Sequence, residues 1–479
     1  MIRNLISMYL PSYPKVLVYM LQGSEYRVKP YLAWLHRTRD FSSVMQRRNL
    51  DPTKSARWLL TTARLGIVLQ LALGVTLVYL GAWHNLAGGV VFGAAVILSY
   101  PLVWAYLLIL ALAAGRAMIE APAEQQANRE SRSHFAKHPG IKIAVAGSYG
   151  KTTMKELLNT VLSQGLKVSA TPANKNVARS HAQFAKKLTG DEDVIIIEYG
   201  EGAPGDVARF AQVTQPTHGV ITGLAPAHLD KYKTLAAAGE DIFSLGTYLH
   251  GKNVYVNNDS DSVKPFLKKS YKLFDHTGAL GWKTSDIQLS LQGTSFHLDK
   301  GKKSLHLSSG LIGQHQVGYL SFVAALALQF GLTDKQVIDG IAKTKPFEHR
   351  MQPYQLSGAW IIDDTYNGNL EGIAAGTQVL KDLPAQRKLY VTPGLVDQGE
   401  ETEAVHIQVG KLIAGAKPDI VVLMRNSVTN YIEKGLKQAQ YSGKLQIEDK
   451  PLEFYTNLTH FVANGDLVVM QNDWPDNYA

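Results

Sequence analysis

The sequence predicts an α/β fold in which two successive α/β domains follow a pair of transmembrane helices. A length of 479 residues exceeds what one hydrophobic core usually holds, so several domains are expected. The stretch 65–115 is apolar and contains no Asp, Glu, Lys or Arg. From residue 141 onwards, short apolar runs typical of strands alternate with helical patterns, as in a parallel sheet covered by helices.

The composition excludes several classes of protein. Cysteine is absent, so disulfide scaffolds, thiolate metal sites and cysteine nucleophiles are ruled out. The formal net charge is +9, but residues 1–64 hold eleven Lys or Arg against three acidic residues, and the remainder is nearly neutral. Basicity confined to one flank argues against nucleic acid as a partner. We predict a basic cytoplasmic leader at 1–61, which either lies on an anionic membrane surface or is a plain solvated tail.

The apolar stretch is long enough for two membrane spans. A bilayer core needs about 20 helical residues, so spans are predicted at 62–80 and 90–115, within a transmembrane hairpin at 62–116. Basic residues on both sides place both flanks in the cytoplasm by the positive-inside rule. The expected location is therefore the cell membrane, with two spans and with the α/β domains in the cytoplasm. The alternative is a buried helical hairpin of a soluble protein.

A polar linker at 117–140 leads into a phosphate-binding motif. The apolar run 141–146 predicts a strand, and the pattern after it predicts an amphipathic helix that ends near Gly165. In a loop between such elements, glycines let backbone N–H groups close around phosphate, a lysine reaches the outer phosphates, and a Thr hydroxyl can ligate Mg²⁺. The loop residues are Gly147, Ser148, Tyr149, Gly150, Lys151, Thr152 and Thr153. They predict a nucleotide site.

The spacing of this loop points to one family. Val145 stands where the first glycine of a standard G-x-x-x-x-G-K-T loop would be, and the shorter loop at 147–153 resembles that of the Mur ligases, which build the peptide stem of bacterial peptidoglycan. The resemblance extends over almost all of residues 141–479. Residues 363–369 read DDTYNGN, which is similar to the D-D-[ST]-Y-N-A-N element of the branch that adds D-alanyl-D-alanine.

The resemblance implies a fold, two cofactors and a reaction. We expect a central ATP-binding domain of the P-loop ATPase type at 141–345 and a C-terminal Rossmann-like ligase domain at 346–479. Alternating residues at 287–307 predict antiparallel strands within the central domain. The implied cofactors are ATP and Mg²⁺. The implied reaction activates a stem-peptide carboxylate as an acyl phosphate, which an amine then attacks.

In the central domain the resemblance implies roles for individual residues. Residues 171–176 resemble the T-x-x-N-x-N loop of the family, so Asn174 and Asn176 are expected to bind substrate. Glu198 ends a predicted buried strand and is expected to ligate the Mg²⁺ shared with Thr152.

Three further central positions follow family elements. His228 lies in an A-H-L-D element and is expected on the metal side of the site. Asn258 resembles the element near the base and ribose. Gln316 replaces an asparagine that commonly contacts adenine in the family, and it keeps a side-chain amide.

The C-terminal domain is expected to complete the site. Arg350 matches a donor to the γ-phosphate or the acyl phosphate. Asp364, Tyr366, Asn367 and Asn369 match residues that face ATP and the incoming amine across the domain gap. The residues expected to be catalytic are Lys151, His228, Arg350, Asp364 and Asn367.

Two departures from the family pattern are visible. Most Mur ligases carry a carbamoylated lysine at a position that falls here on Gly239, where we expect Glu240 or Asp241 to serve instead. The N-terminal domain that holds the UDP-sugar is replaced by the basic leader and the apolar hairpin. The acceptor is thus expected to be a muropeptide linked either to UDP or to a lipid.

The resemblance leaves three functions open. The leading one is a peptidoglycan-precursor ligase that uses D-alanyl-D-alanine. The second is a related ligase with a different amino donor. The third is a non-catalytic nucleotide-binding scaffold of a cell-wall synthesis complex.

Overall fold

A computed structural model describes residues 6–24, 26–38, 40–44, 49–115, 117–118, 121–173, 175–226, 232–366, 368–396 and 398–472. These residues divide into two compact units, one within 1–126 and one within 127–474.

The first unit is helical. Its apolar core includes Tyr13, Leu17, Tyr31 and Leu108, all buried. The Tyr31 hydroxyl donates to the Ala105 carbonyl at 2.9 Å, which ties the basic segment to the last helix of the unit. Much of the predicted leader is therefore helical and packed, and is not a plain solvated tail. The helices are α1 (Tyr13–Gly23), α2 (Val28–Arg37), α3 (Lys54–Trp83), α4 (Ala87–Leu98) and α5 (Tyr100–Gly115).

The predicted pair of spans is not what the structure shows. Among the described residues, α3 is the one single helix long and apolar enough to cross a membrane. The second predicted span is divided into α4 and α5, which are bent by 59° at their junction. Pro101, the second residue of α5, explains the break, because proline has no backbone N–H to bond to the preceding turn and its ring clashes with the carbonyl of that turn. The prediction of a multi-pass membrane protein is therefore wrong.

The second unit begins after helix α6 (Ala121–Lys137) with a ten-stranded sheet. The spatial order is β2-β3-β1-β4-β5-β6 in parallel, continued by β7 to β10 in antiparallel fashion. The predicted antiparallel strands are thus confirmed. The strands are β1 (Ile141–Ala146), β2 (Val168–Ala170), β3 (Val194–Glu198), β4 (His218–Ile221), β5 (Val254–Asn257), β6 (Lys272–Asp275), β7 (Gly278–Ala279), β8 (Trp282–Ser290), β9 (Gly293–Lys300) and β10 (Lys303–Ser309).

Helices cover both faces of this sheet. Successive residues of β1 point to opposite sides: Ile143 and Val145 join a core with Met154, whereas Ala144 and Ala146 join a second core. This burial on both faces explains why the parallel strands read as continuous apolar runs. The helices are α7 (Lys151–Leu162), α8 (Ala178–Ala185), α9 (Asp206–Thr214), α10 (Leu235–Tyr248), α11 (His315–Gln329) and α12 (Asp334–Ala342).

A six-stranded sheet forms the C-terminal part of the same unit, in the order β11-β12-β16-β13-β14-β15. All its pairs are parallel except β11 with β12, which confirms the predicted second α/β domain. Its strands are β11 (Gln352–Leu356), β12 (Ala359–Asp364), β13 (Arg387–Thr392), β14 (Ile420–Met424), β15 (Lys444–Glu448) and β16 (Asp466–Gln471). Its helices are α13 (Leu370–Asp382), α14 (Thr402–Ala416), α15 (Thr429–Gln438), α16 (Pro451–Thr456) and α17 (Leu458–Phe461).

Candidate functional site

The phosphate-binding loop connects β1 to α7 at the carboxyl edge of the parallel strands. Gly150 caps α7 with a φ of 72°, and a Cβ built on it would lie 2.1 Å from the Tyr319 hydroxyl. Gly147 has a φ of 143°, and a Cβ there would lie 2.3 Å from the Thr222 hydroxyl. Only glycine fits these two positions, so the loop backbone lies tightly against its neighbours while its N–H groups start a helix.

Lys151 is held by two acceptors. Its Nζ donates to the Gly147 carbonyl at 2.5 Å and lies 2.7 Å from Oε2 of Glu201. The side chains of Lys151 and Glu201 are only 12% and 5% exposed. Sequence reasoning missed Glu201. The available signal was its position three residues after Glu198, in the loop that follows a buried parallel strand.

Glu198 is the buried carboxylate at the end of β3. Its Oε1 accepts from the Thr152 hydroxyl at 3.1 Å and from Nδ2 of Asn176 at 3.2 Å. Its side chain is 1% exposed, and Oε2 has no hydrogen-bond donor among the described residues. The structure thus brings together three residues that the sequence assigned to the metal and the acceptor.

A buried cation lies behind this carboxylate. Lys155, one helical turn after Lys151, is completely buried, and its Nζ lies 3.5 Å from Oε2 of Glu198. The same ammonium donates to the carbonyls of Thr171, at 2.8 Å, and Ala173. Lys155 therefore connects α7 to the 171–176 loop while it balances the charge of Glu198.

His181 supports Glu198 from the opposite side. Burial lowers the pKa of His181 to about 4, so its imidazole is neutral near pH 7. Its Nε2 is 2.9 Å from the Glu198 backbone carbonyl, so the N–H of the neutral ring lies on this nitrogen and donates to that oxygen. This contact fixes the backbone at the end of β3.

The proposed base-binding residues lie around the start of α11. Nδ2 of Asn258 donates to Asp275 at 3.2 Å. Gln316 is buried, and its Nε2 lies 2.9 Å from Nε2 of His315. The first turn of α11 packs against the Asp259 turn, since a Cβ on Gly318 would lie 2.9 Å from Oδ2 of Asp259.

In the C-terminal domain, Arg350 and Asp364 lie near one another. The guanidinium carbon of Arg350 is 4.4 Å from the ring centroid of Tyr366. Asp364 accepts from the Met351 backbone N–H at 3.1 Å and from Nε2 of Gln471 at 2.7 Å. Burial nevertheless raises the pKa of Asp364 to about 7, and the nearby Arg350 charge offsets only part of this effect.

The start of α13 brings the C-terminal domain towards the phosphate loop. Oδ1 of Asn369 accepts from the Gly372 N–H at 2.8 Å, so this predicted substrate-binding amide caps α13. Burial raises the pKa of Glu371, two residues after Asn369, to about 7. Burial also raises the pKa of Tyr149 in the phosphate loop, and the Glu371 charge adds to that rise. Tyr149 and Glu371 are therefore electrostatic neighbours.

Three predicted site residues, Asn174, His228 and Asn367, lie outside the described residues.

The position of the expected carbamoylated lysine is filled by an aromatic ring. A Cβ on Gly239 would lie 2.2 Å from the Phe266 ring. Of the two expected substitutes, Glu240 is exposed, and Asp241 accepts from the Gly205 N–H at 2.9 Å and the Tyr232 hydroxyl at 2.7 Å. Asp241 thus holds the turn before α9.

This arrangement defines a class: a two-domain α/β protein with a glycine loop for phosphate at the carboxyl edge of a parallel sheet. Residues 145–327 match the Mur ligase middle domain, and residues 349–471 match the Mur ligase glutamate ligase domain. The two matches together cover more than half of the sequence. The chain therefore belongs to the Mur ligase family through these two domains.

Individual relatives agree with this assignment. The chain is 28% identical over 291 residues to the UDP-N-acetylmuramoyl-tripeptide--D-alanyl-D-alanine ligase of Escherichia coli, a match that covers 59% of this chain and 64% of that relative. The enzyme of the same name from Synechocystis is also 28% identical, with 59% and 62% covered. The chain thus spans less than two thirds of the length of these curated relatives.

Solved structures show the same fold. MurF ligase from Thermotoga maritima in complex with ADP has a TM-score of 0.64 at 21% identity, covering 73% of this chain and 80% of that chain. MurF from Acinetobacter baumannii has a TM-score of 0.63 at 20% identity, with 73% and 77% covered.

Replacing the buried lysine tests the charge balance around Glu198. Lys155→Met should lower the free energy of unfolding by about 3–5 kcal/mol, because it leaves a buried carboxylate without its cation. Lys155→Arg should lower the free energy of unfolding by less, since it keeps the positive charge. Chemical denaturation would measure both, with Lys167→Met as the control at an ion pair that is half exposed. Equal stability of Lys155→Met and wild type would contradict this account.

The raised pKa of Asp364 predicts a pH-dependent stability. The folded state holds the proton more tightly than the unfolded state, so stability should be highest below about pH 4 and decrease as pH rises through about 7. The side-chain amide in Asp364→Asn is neutral at every pH of the experiment. Calorimetric unfolding should therefore give similar midpoints for wild type and variant below about pH 4, and a higher midpoint for the variant at pH 8. The exposed Asp382→Asn should show no such divergence, and a parallel response of Asp364→Asn and wild type would refute the assignment.

Proposed function

We propose that the chain is an ATP-dependent amide-bond ligase that joins D-alanyl-D-alanine, or a related amine, to the stem-peptide carboxylate of a peptidoglycan precursor. One observation carries the proposal: the phosphate loop with Lys151, the Thr152 and Glu198 pair, and the Arg350 and Asp364 cluster all belong to one compact unit with the family fold. The relatives named above for D-alanyl-D-alanine addition support this choice of amine.

The residues present fit a nucleotide and its metal. The glycines at 147 and 150 let the loop backbone take the conformation that starts α7, and the N–H groups of a helix N-terminus can bind phosphate. Oε2 of Glu198 is a buried oxygen without a described donor, and Thr152 adds a hydroxyl beside it. Oxygen ligands of this kind suit Mg²⁺. Bound there, Mg²⁺ would neutralise charge on the phosphate oxygens of ATP.

The chemistry requires charge and position more than a protein nucleophile. A carboxylate is a poor electrophile until the γ-phosphoryl group of ATP is transferred to it, giving an acyl phosphate and ADP. Attack by the amine then forms the amide and releases phosphate. Lys151 supplies positive charge on the phosphate-loop side, and Arg350 supplies it from the C-terminal domain.

The amine must lose a proton during this attack. Among the described residues of the C-terminal domain, Asp364 and Glu371 are the two partly buried carboxyl groups whose pKa is raised to about 7. A group with a pKa near the working pH is suited to accept a proton. We assign Asp364 or Glu371 to this step, and substrate-binding roles to Tyr366 and Asn369. From the sequence pattern we assign a substrate-binding role to Asn174, a catalytic role to Asn367 and a catalytic, metal-side role to His228.

Product analysis tests the proposal directly. The full chain is incubated with ATP, Mg²⁺, D-alanyl-D-alanine and a tripeptide precursor, with UDP-linked and lipid-linked precursor as separate arms. Mass spectrometry should show the pentapeptide product, and phosphate should be released in equal amount. Lys151→Ala should lower the rate at least about 100-fold, because a charge that stabilises the transferring phosphoryl group is removed.

The exposed Lys302→Ala is the matched control and should leave the rate unchanged. A different amine as the efficient substrate would establish the related-ligase function. Saturable nucleotide binding without phosphate release, under any combination of amine and precursor, would rule out the enzyme and favour the scaffold.

A further inference from the structure

The ion pair between Lys151 and Glu201 joins the phosphate-binding lysine to a carboxylate that no sequence motif assigned. Both oxygens of Glu201 lie within 2.9 Å of Nζ of Lys151. Their side chains are 12% and 5% exposed, so solvent screens the pair weakly. This pair therefore differs from the surface ion pairs of the same domain, such as Lys167 with Asp191, whose side chains are 50% and 67% exposed.

The segment that carries Glu201 is well anchored. Asp206 accepts from the backbone N–H groups of Gly202 at 3.0 Å and Ala203 at 2.7 Å. The Tyr232 hydroxyl, which donates to Asp241, lies 3.1 Å from the Ala203 carbonyl oxygen. These contacts begin immediately after Glu201 and fix the direction in which its carboxylate leaves the backbone.

We propose that Glu201 is a counter-ion that competes with nucleotide phosphates for Lys151, so that nucleotide affinity is set by release of this ion pair. The inference rests on the proposed function and concerns the regulation of that same site. Glu201 is a positioning residue here, because it acts through Lys151.

The physical reason is the limited number of donors. An ammonium group has three hydrogens, and in the structure Lys151 directs them to the Gly147 carbonyl and the two Glu201 oxygens. Contact with an outer phosphate requires at least one of these bonds to be exchanged. A carboxylate that stays beside the lysine would also repel the phosphate oxygens, since both carry negative charge.

The fraction of time that Lys151 is released from Glu201 sets the size of the change in phosphate affinity. If Lys151 is released from Glu201 about one tenth of the time, the apparent affinity for phosphate is reduced about tenfold. Removing the negative charge of Glu201 removes this cost. If Glu201 served only to hold the loop, its substitution would instead weaken nucleotide binding.

Nucleotide binding to Glu201→Gln provides the test. Calorimetric titration of the full chain with ADP in the presence of EDTA should show affinity about tenfold tighter than in wild type. With a non-hydrolysable ATP analogue and Mg²⁺ the gain should be smaller, because the metal already neutralises part of the phosphate charge. Glu201→Ala is the second variant and should also bind ADP more tightly.

The control is Asp191→Asn, which makes the same carboxylate-to-amide change in an exposed ion pair of the same domain and should leave ADP affinity unchanged. Unchanged or weaker binding of metal-free ADP by both Glu201 variants would overturn the proposal. A loss of affinity confined to the Mg²⁺ condition would also overturn it and make Glu201 a metal ligand. Wild-type protein that binds no nucleotide would instead refute the proposed function, so the two failures are distinguishable.

Discussion

The buried Glu198 carboxylate is the constraint on which the middle domain depends. A carboxylate at the end of a parallel strand, with only 1% of its side chain exposed, is stable only if neighbouring groups compensate its charge. Thr152, Asn176 and Lys155 provide that compensation from the phosphate-loop helix and from the 171–176 loop. One acidic side chain thus connects the phosphate-loop helix to the 171–176 loop.

The C-terminal domain differs from the middle domain in how far its carboxyl groups are compensated by neighbouring groups. Its partly buried carboxyl groups, Asp364 and Glu371, are only partly compensated, so desolvation favours their protonated forms. Acids of this kind reduce stability at neutral pH. The middle domain therefore pairs its buried charges, whereas the C-terminal domain holds carboxyl groups that take up and release protons near pH 7.

Local sequence patterns predicted the parts of the site that local structure determines. The strand, glycine loop and helix around Gly147 and Lys151 are encoded in consecutive residues, and Glu198 could be placed because buried strands end at a common edge. The two-domain α/β organisation followed from the alternation of apolar runs in the same manner.

Contacts between distant segments could not be read from the sequence. Glu201 lies 50 residues after Lys151 along the chain. Their pairing depends on a loop conformation that the contacts of Asp206 stabilise. Burial of Lys155 depends on the 171–176 loop folding over it.

The oxygen of Asn369 caps α13, and the role of this residue in substrate binding stays a prediction. The helix break beside Pro101 has a local signal, because a proline within an apolar helical run interrupts the hydrogen bonds of the helix.

The stacking of Arg350 on Tyr366 restricts how an anion can approach the C-terminal domain. A guanidinium is planar and its N–H bonds all lie in that plane, so an aromatic ring against one face leaves the donors available only at the edge. An incoming oxygen must therefore arrive in the plane of the guanidinium, away from the face that the tyrosine ring covers. The direction of approach is thereby set by an aromatic surface that forms no bond with the anion itself.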